Sequence, residues 1–140
     1  MNKKLLLGFV GVFVVVFVLE FIINNYLMMS IYEQTAGLWR PPEEMKMWLV
    51  IICQLFFAFF FTFIFSKGYE GKGIGEGIRY GLYVTGLMTI PAAYVSYATM
   101  PVPYSLALGW FLYGTVENVV AGSVAALVFG KKETPKAPAS

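Results

Sequence analysis

Four stretches of this chain are apolar for the length of a bilayer crossing: Leu5 to Met28, Met47 to Ser66, Tyr80 to Ala98 and Ser105 to Phe129. A hydrocarbon core about 30 Å thick needs about 20 predominantly apolar residues in a helix. In lipid a helix satisfies its own backbone within one segment, which an isolated strand does not. A chain of 140 residues with four such stretches has little left with which to build anything else. Only 13% of the residues are charged, against about 25% in ordinary soluble domains. The expected fold class is therefore all-α: a polytopic membrane protein with four transmembrane helices in an antiparallel bundle. The helices are expected over about 5–28, 42–66, 78–98 and 105–130. Residues 1–130 read as one domain, because four helices with short connections do not divide into independent cores. The segment 131–140, KKETPKAPAS, has nothing to bury and is expected to be a disordered cytoplasmic tail. There is no internal repeat, parallel or inverted.

Lys3 and Lys4 ahead of an apolar run imitate the start of a secretory leader. The run, however, continues past Glu20 to about Met28, and no small-x-small cleavage site closes it. The first stretch reads as a retained helix. With the N-terminus inside, Lys3, Lys4, Lys67, Lys72, Arg79, Lys131, Lys132 and Lys136 fall in cytoplasmic segments, and only Arg40 and Lys46 fall outside. Eight against two is a positive-inside bias, so both termini are expected in the cytoplasm and the protein in a bacterial-type inner membrane, as a multi-pass chain. Trp39, Trp48, Trp110, Tyr26, Tyr32, Tyr97 and Tyr104 then form an aromatic belt at the outer face.

The longest external connection, SIYEQTAGLWRPPEEMKMW, carries its own helix-start signal. Pro41 or Pro42 followed by Glu43 and Glu44 puts proline in a first turn and acids at the positive dipole end, so the second helix is expected to begin there. The cytoplasmic connection SKGYEGKGIGEGIRYG is glycine-rich but contains no G-x-x-x-x-G-K-[ST] and follows no strand. It reads as a turn whose Lys67, Lys72 and Arg79 face anionic headgroups or a partner. Gly73, Gly77 and Gly81, spaced by four, also suit close helix packing. Pro91 is expected to kink the third helix. On the fourth helix Gly114, Asn118, Gly122, Ala126 and Gly130 share one face, a stripe for packing within the protein or against another copy.

Two acids interrupt the apolar stretches. At 1.5 Å per residue, Glu20 lies about 22 Å from the cytoplasmic end of the first helix, and Glu117 about 18 Å from the external end of the fourth. On a core of about 30 Å these depths nearly match. Asn24 follows Glu20 by four and shares its face. Gln54 lies at a similar depth, Tyr113 precedes Glu117 by four, and Asn118 adjoins it; Thr85 and Thr89 are deeper toward the cytoplasm. An ionised Glu at mid-membrane costs about 2.5 kcal/mol or more, and no basic residue lies within the spans. Either a carboxyl is protonated, since burial and mutual repulsion disfavour two charges, or a cation sits between them. The bland reading, a protonated Glu bonding across helices as Asn and Gln do, weakens when two acids match in depth with amides beside them.

The chain has no His, which excludes His-based metal sites, His-ligated haem and Ser-His catalysis. The single Cys53 forms no internal disulfide and reads as a small apolar packing residue. Paired carboxylates also suit hydrolysis, but these spans suggest no wet cleft for a polar substrate. No catalytic residue and no cofactor is expected, and no nucleic-acid partner; the metal question stays open. The leading functional expectation is a small, transport-like membrane protein handling protons, a small cation or a ligand through Glu20 and Glu117, with Asn24, Gln54, Asn118 and Tyr113. The rival is a non-catalytic subunit or assembly factor of a larger membrane complex, or a homo-oligomer, using Gly114, Gly122, Ala126 and the glycine-rich loop as contacts.

Overall fold

The computed structural model describes residues 2–130; the tail expected over 131–140 lies outside the described residues. Among the described residues there is no strand. Helix α1 spans Lys3–Ile22 and α2 Met29–Gln34, followed by 3-10 turns at Ala36–Leu38 and Pro42–Glu44. Helix α3 spans Met47–Gly68, α4 Ile74–Val84, α5 Ile90–Thr99 and α6 Tyr104–Phe129. A turn of π-helix at Ile23–Leu27 prolongs α1, and a second at Thr85–Thr89 joins α4 to α5.

Three helical segments, Lys3–Leu27, Met47–Gly68 and Tyr104–Phe129, are long and apolar enough to cross a membrane. Their outward faces expose residues such as Val10, Phe17, Trp48, Phe56, Ile64 and Leu127, which a bilayer would cover. This is a membrane protein. The segment Ile74–Thr99 is helical throughout but diluted by Tyr80, Tyr83, Thr85, Thr89, Tyr94 and Ser96. Pro91 stands at the start of α5, directly after the second π-turn. A widened turn gives room to a ring that a tight α-turn would drive into the preceding carbonyl.

The start of α3 differs from the expectation of a helix beginning at Pro42. Pro42–Glu44 closes its own short turn through Glu44 N–H to Pro41 O at 2.8 Å, and Met45 then becomes extended. Glu43, Glu44 and Lys46 remain exposed, and only from Met47 does a continuous apolar run give the helix something to bury in lipid.

Helix α6 is the centre of the packing. It lies against α4 over much of its length and against α1 on another side, and α1 in turn packs on α3. At the α4–α6 contact Gly77 meets Gly122 and Gly81 meets Asn118 and Val119, backbone against backbone. A Cβ at Gly114 would come within 2.6 Å of Thr89 Cγ2. The α6 stripe is thus spent inside the protein: Gly114, Asn118, Gly122 and Ala126 all face α4 and the π-turn after it. Gly130 does not continue the stripe; at φ 75° it ends α6. The last carbonyls of α6 are satisfied by Lys4 Nζ, donating to Phe129 O at 3.0 Å, and by Tyr69 Oη, donating to Gly130 O at 2.7 Å.

Buried apolar residues form two clusters. One gathers Val12, Val16, Ala58, Phe61, Phe65, Ala121 and Ala125; the other gathers Ile23, Met28, Val102 and Leu106. Helix α3 meets α4 chiefly at the level of the first cluster, where Tyr80 packs on Phe61 and Phe65 and donates to Phe61 O at 2.7 Å.

Candidate functional site

Glu20 sits between Val16 and Ile23 on α1, and Glu117 between Tyr113 and Ala121 on α6. Both acids therefore fall in the layer between the two apolar clusters. There the molecule has a cavity of about 920 Å³, lined by α1, α3, α5, α6 and the second π-turn. The structure brings Glu20, Asn24, Gln54, Tyr113, Glu117 and Asn118 together on its wall. Cavities of this size hold small molecules and are mostly apolar with a few convergent polar groups, as here, where Val50, Phe57, Met88 and Ala93 supply the apolar wall.

The polar groups are connected. Glu117 on α6 faces Glu20 on α1 across the cavity, close enough for the two carboxyls to interact. Gln54 Nε2 donates to Glu20 Oε2 at 3.4 Å. Gln54 Oε1 is buried and accepts no hydrogen bond from any described protein group. An unmatched acceptor beside two acids leaves the floor of the cavity short of donors. Above it, Trp110 Nε1 donates to Tyr32 Oη at 2.9 Å, and Tyr32 Oη donates to Asn24 Oδ1 at 3.1 Å. The Tyr32 phenol, on α2 beyond the end of the first apolar segment, titrates above its ordinary range. Burial is the main cause; the Trp110 bond opposes it, and negative charge at Glu20 and Glu117 adds to it.

Asn118 does a different job from its neighbour. It is buried, and its Nδ2 donates to Thr85 Oγ1 at 3.0 Å and Thr89 Oγ1 at 2.9 Å, while Thr85 returns its own proton to Gly81 O. This amide ties α6 to the π-turn and walls the cavity from behind. Asn118→Ala is expected to lower stability by about 1–2 kcal/mol, the loss of two interhelical bonds, with midpoint unfolding in detergent as the measurement. A drop no larger than that of a lipid-facing Ala substitution would show the bridge to be idle.

Two groups depart from the sequence reading. Cys53 is exposed and lines the cavity instead of packing in a core; one residue from Gln54, it turns with the open face of α3. Arg40 and Lys46, not singled out as site residues, line the same cavity from the connection between α2 and α3. No sequence period marks them; the available signal was that they alone carry positive charge on the side where Trp39 and Trp110 stack edge to face at 6.1 Å. The loop cations Lys67, Lys72 and Arg79, expected to face headgroups or a partner, fall in two places. Lys72 pairs with Glu70 at 2.7 Å and, with Arg79, borders a shallow cavity of about 400 Å³, whereas Lys67 covers the Phe63 ring. Gly71 and Gly73 turn that loop with φ of 78° and 89°, a region closed to most side chains.

Among the described residues no three His, Cys, Asp or Glu side chains gather as a metal-binding group. Two carboxyls with amide oxygens suit a proton or an ammonium-like cation better than a transition metal. Compared with known proteins, the chain matches no family model, no curated protein and no solved structure.

Proposed function

We propose that this protein is a small carrier, or ligand-binding protein, of a bacterial-type inner membrane, in which Glu20 and Glu117 share one proton or one small cation. The observation that carries this reading is the meeting of two intramembrane carboxyls in one cavity to which the helices contribute no basic side chain, Arg40 and Lys46 reaching it only from the connection before α3. Two such acids in a low dielectric do not both ionise cheaply, so one positive charge is held between them. In this reading Ile74–Thr99 is the fourth crossing, the helices alternate in direction, and both termini are cytoplasmic. Against the rival role as an assembly subunit stands the use of the α6 stripe by α4, which removes that face from any partner.

The test is flux. Purified protein in liposomes loaded with a pH-sensitive dye is driven by a potassium–valinomycin potential, with sodium and methylammonium as alternative cations. The protein is expected to pass one of the three, and the E20Q/E117Q double variant none. No flux of any, or flux unchanged in the double variant, overturns the reading. The topology has its own check in a Cys53→Ala background. A cysteine at Thr35 is expected to react with an impermeant maleimide in intact cells, and one at Gly68 only after lysis. Labelling of position 68 from outside sinks the four-span arrangement.

A further inference from the structure

The cavity is polarised along its depth. Its floor is Glu20, Glu117 and Gln54; its rim includes Arg40 and Lys46. Glu43 and Glu44, the acids of the same connection, do not line it. Lys46 precedes Gln54 by eight residues at the head of α3, a rise of about 12 Å. Between the two ends the wall is mixed, apolar at Leu49, Val50 and Ala93 and polar at Asn24, Ser96 and Tyr113.

A plain cation entering at the rim passes two like charges before it reaches the acids. A plain anion is held at the rim and repelled by the floor. A molecule with an amine leading and an anionic group trailing meets complementary charge at both ends. Its ammonium group brings the donors that the two carboxyls lack. Arg40 offers a planar fork for a carboxylate or phosphate, and Leu49, Val50 and Ala93 offer an apolar strip for the methylene spine between the ends.

Resting on the carboxyl-pair reading above, we infer that the ligand of this cavity is an elongated zwitterion, with its amine at Glu20, Glu117 and Gln54 and its anionic end at Arg40 and Lys46. This deepens the cation site into a two-ended one and makes the external connection the half that sets specificity.

The experiment uses the full chain in an uncharged maltoside detergent and four probes on one eight-carbon chain: 8-aminooctanoate, octylamine, octanoate and 1,8-diaminooctane. Binding is followed by calorimetry. The zwitterion is expected to bind about tenfold or more tighter than octylamine, and R40Q/K46Q to erase that advantage. Both rim residues are exposed, so the change does not threaten the fold. R40E/K46E is expected to transfer the preference to the diamine. Equal binding of octylamine and 8-aminooctanoate, with no response to the rim variants, overturns the two-ended site while leaving the carboxyl pair standing, provided E20Q weakens both. Octanoate binding best overturns it in favour of an anion site at the rim. If no probe binds, the inference fails while the carboxyl pair is judged by its flux; if a probe binds and E20Q changes nothing, the inference fails together with the carboxyl-pair reading.

Discussion

Gly122→Leu is expected to lower the stability of the protein by about 3 kcal/mol or more and to loosen α4 from α6. The added side chain meets the backbone of Gly77 and Gly81, and backbone, unlike a flexible side-chain end, has no rotamer into which to retreat. The contact cannot open locally, because Asn118 on the same face holds Thr85 and Thr89 one turn away. Gly68→Leu is the control: a Cβ there meets nothing within 4 Å, so its effect should stay within about 0.5 kcal/mol. Thermal unfolding followed by helical circular dichroism in detergent compares the two. Equal tolerance would mean that the close helix contact contributes nothing.

The second large effect falls on function. Glu20→Gln and Glu117→Gln are each expected to reduce flux by about 100-fold or more, the range of a lost proton-transfer group, while changing stability by less than about 1 kcal/mol. The amide matches the size of a protonated acid and still meets Gln54 Nε2 across the α1–α3 contact. Glu20→Leu separates the two roles more sharply. Leucine suits the membrane interior, but it leaves Gln54 with both amide ends unmatched, a cost of about 0.6–1.7 kcal/mol in interhelical terms. Flux should vanish with only that modest destabilisation. Retained flux in both Gln variants would remove the acids from any transport path.

Helix existence was legible because α1, α3 and α6 are long apolar runs whose burial in lipid outweighs every local preference. The start of α3 was not. Pro42, Glu43 and Glu44 form a sound local signal, yet the acids solvate better in a separate turn than as the first turn of a membrane helix. The depth of Glu20 and Glu117 could be counted from rise per residue, since depth is a one-dimensional quantity. Rotation about the helix axis was legible only in part: the spacing of four in Gly114, Asn118 and Gly122 gives a face without saying what meets it. Gly77 and Gly81 answer that question, and their own spacing of four was visible without an address. Arg40 and Lys46 were illegible as site residues, because a connection without a period carries no record of where it folds back.

The two π-turns make residue number, and not only residue type, a determinant of the site. In each the hydrogen bond skips one position further than in an α-helix, Met28 N–H to Ile23 O and Ile90 N–H to Thr85 O. Each turn therefore stores one residue more than a straight helix of the same rise. Removing one would let the α-helix close, and everything beyond would swing about its axis by about 100°. After the second turn that swing would carry Ala93 and Ser96 off the cavity wall; after the first, it would turn Met28 away from the pocket that Gly109 leaves for it. A one-residue deletion at either place keeps the composition, hydropathy and helicity of the chain and still dismantles the cavity, so this protein tolerates change of letter there more readily than change of length.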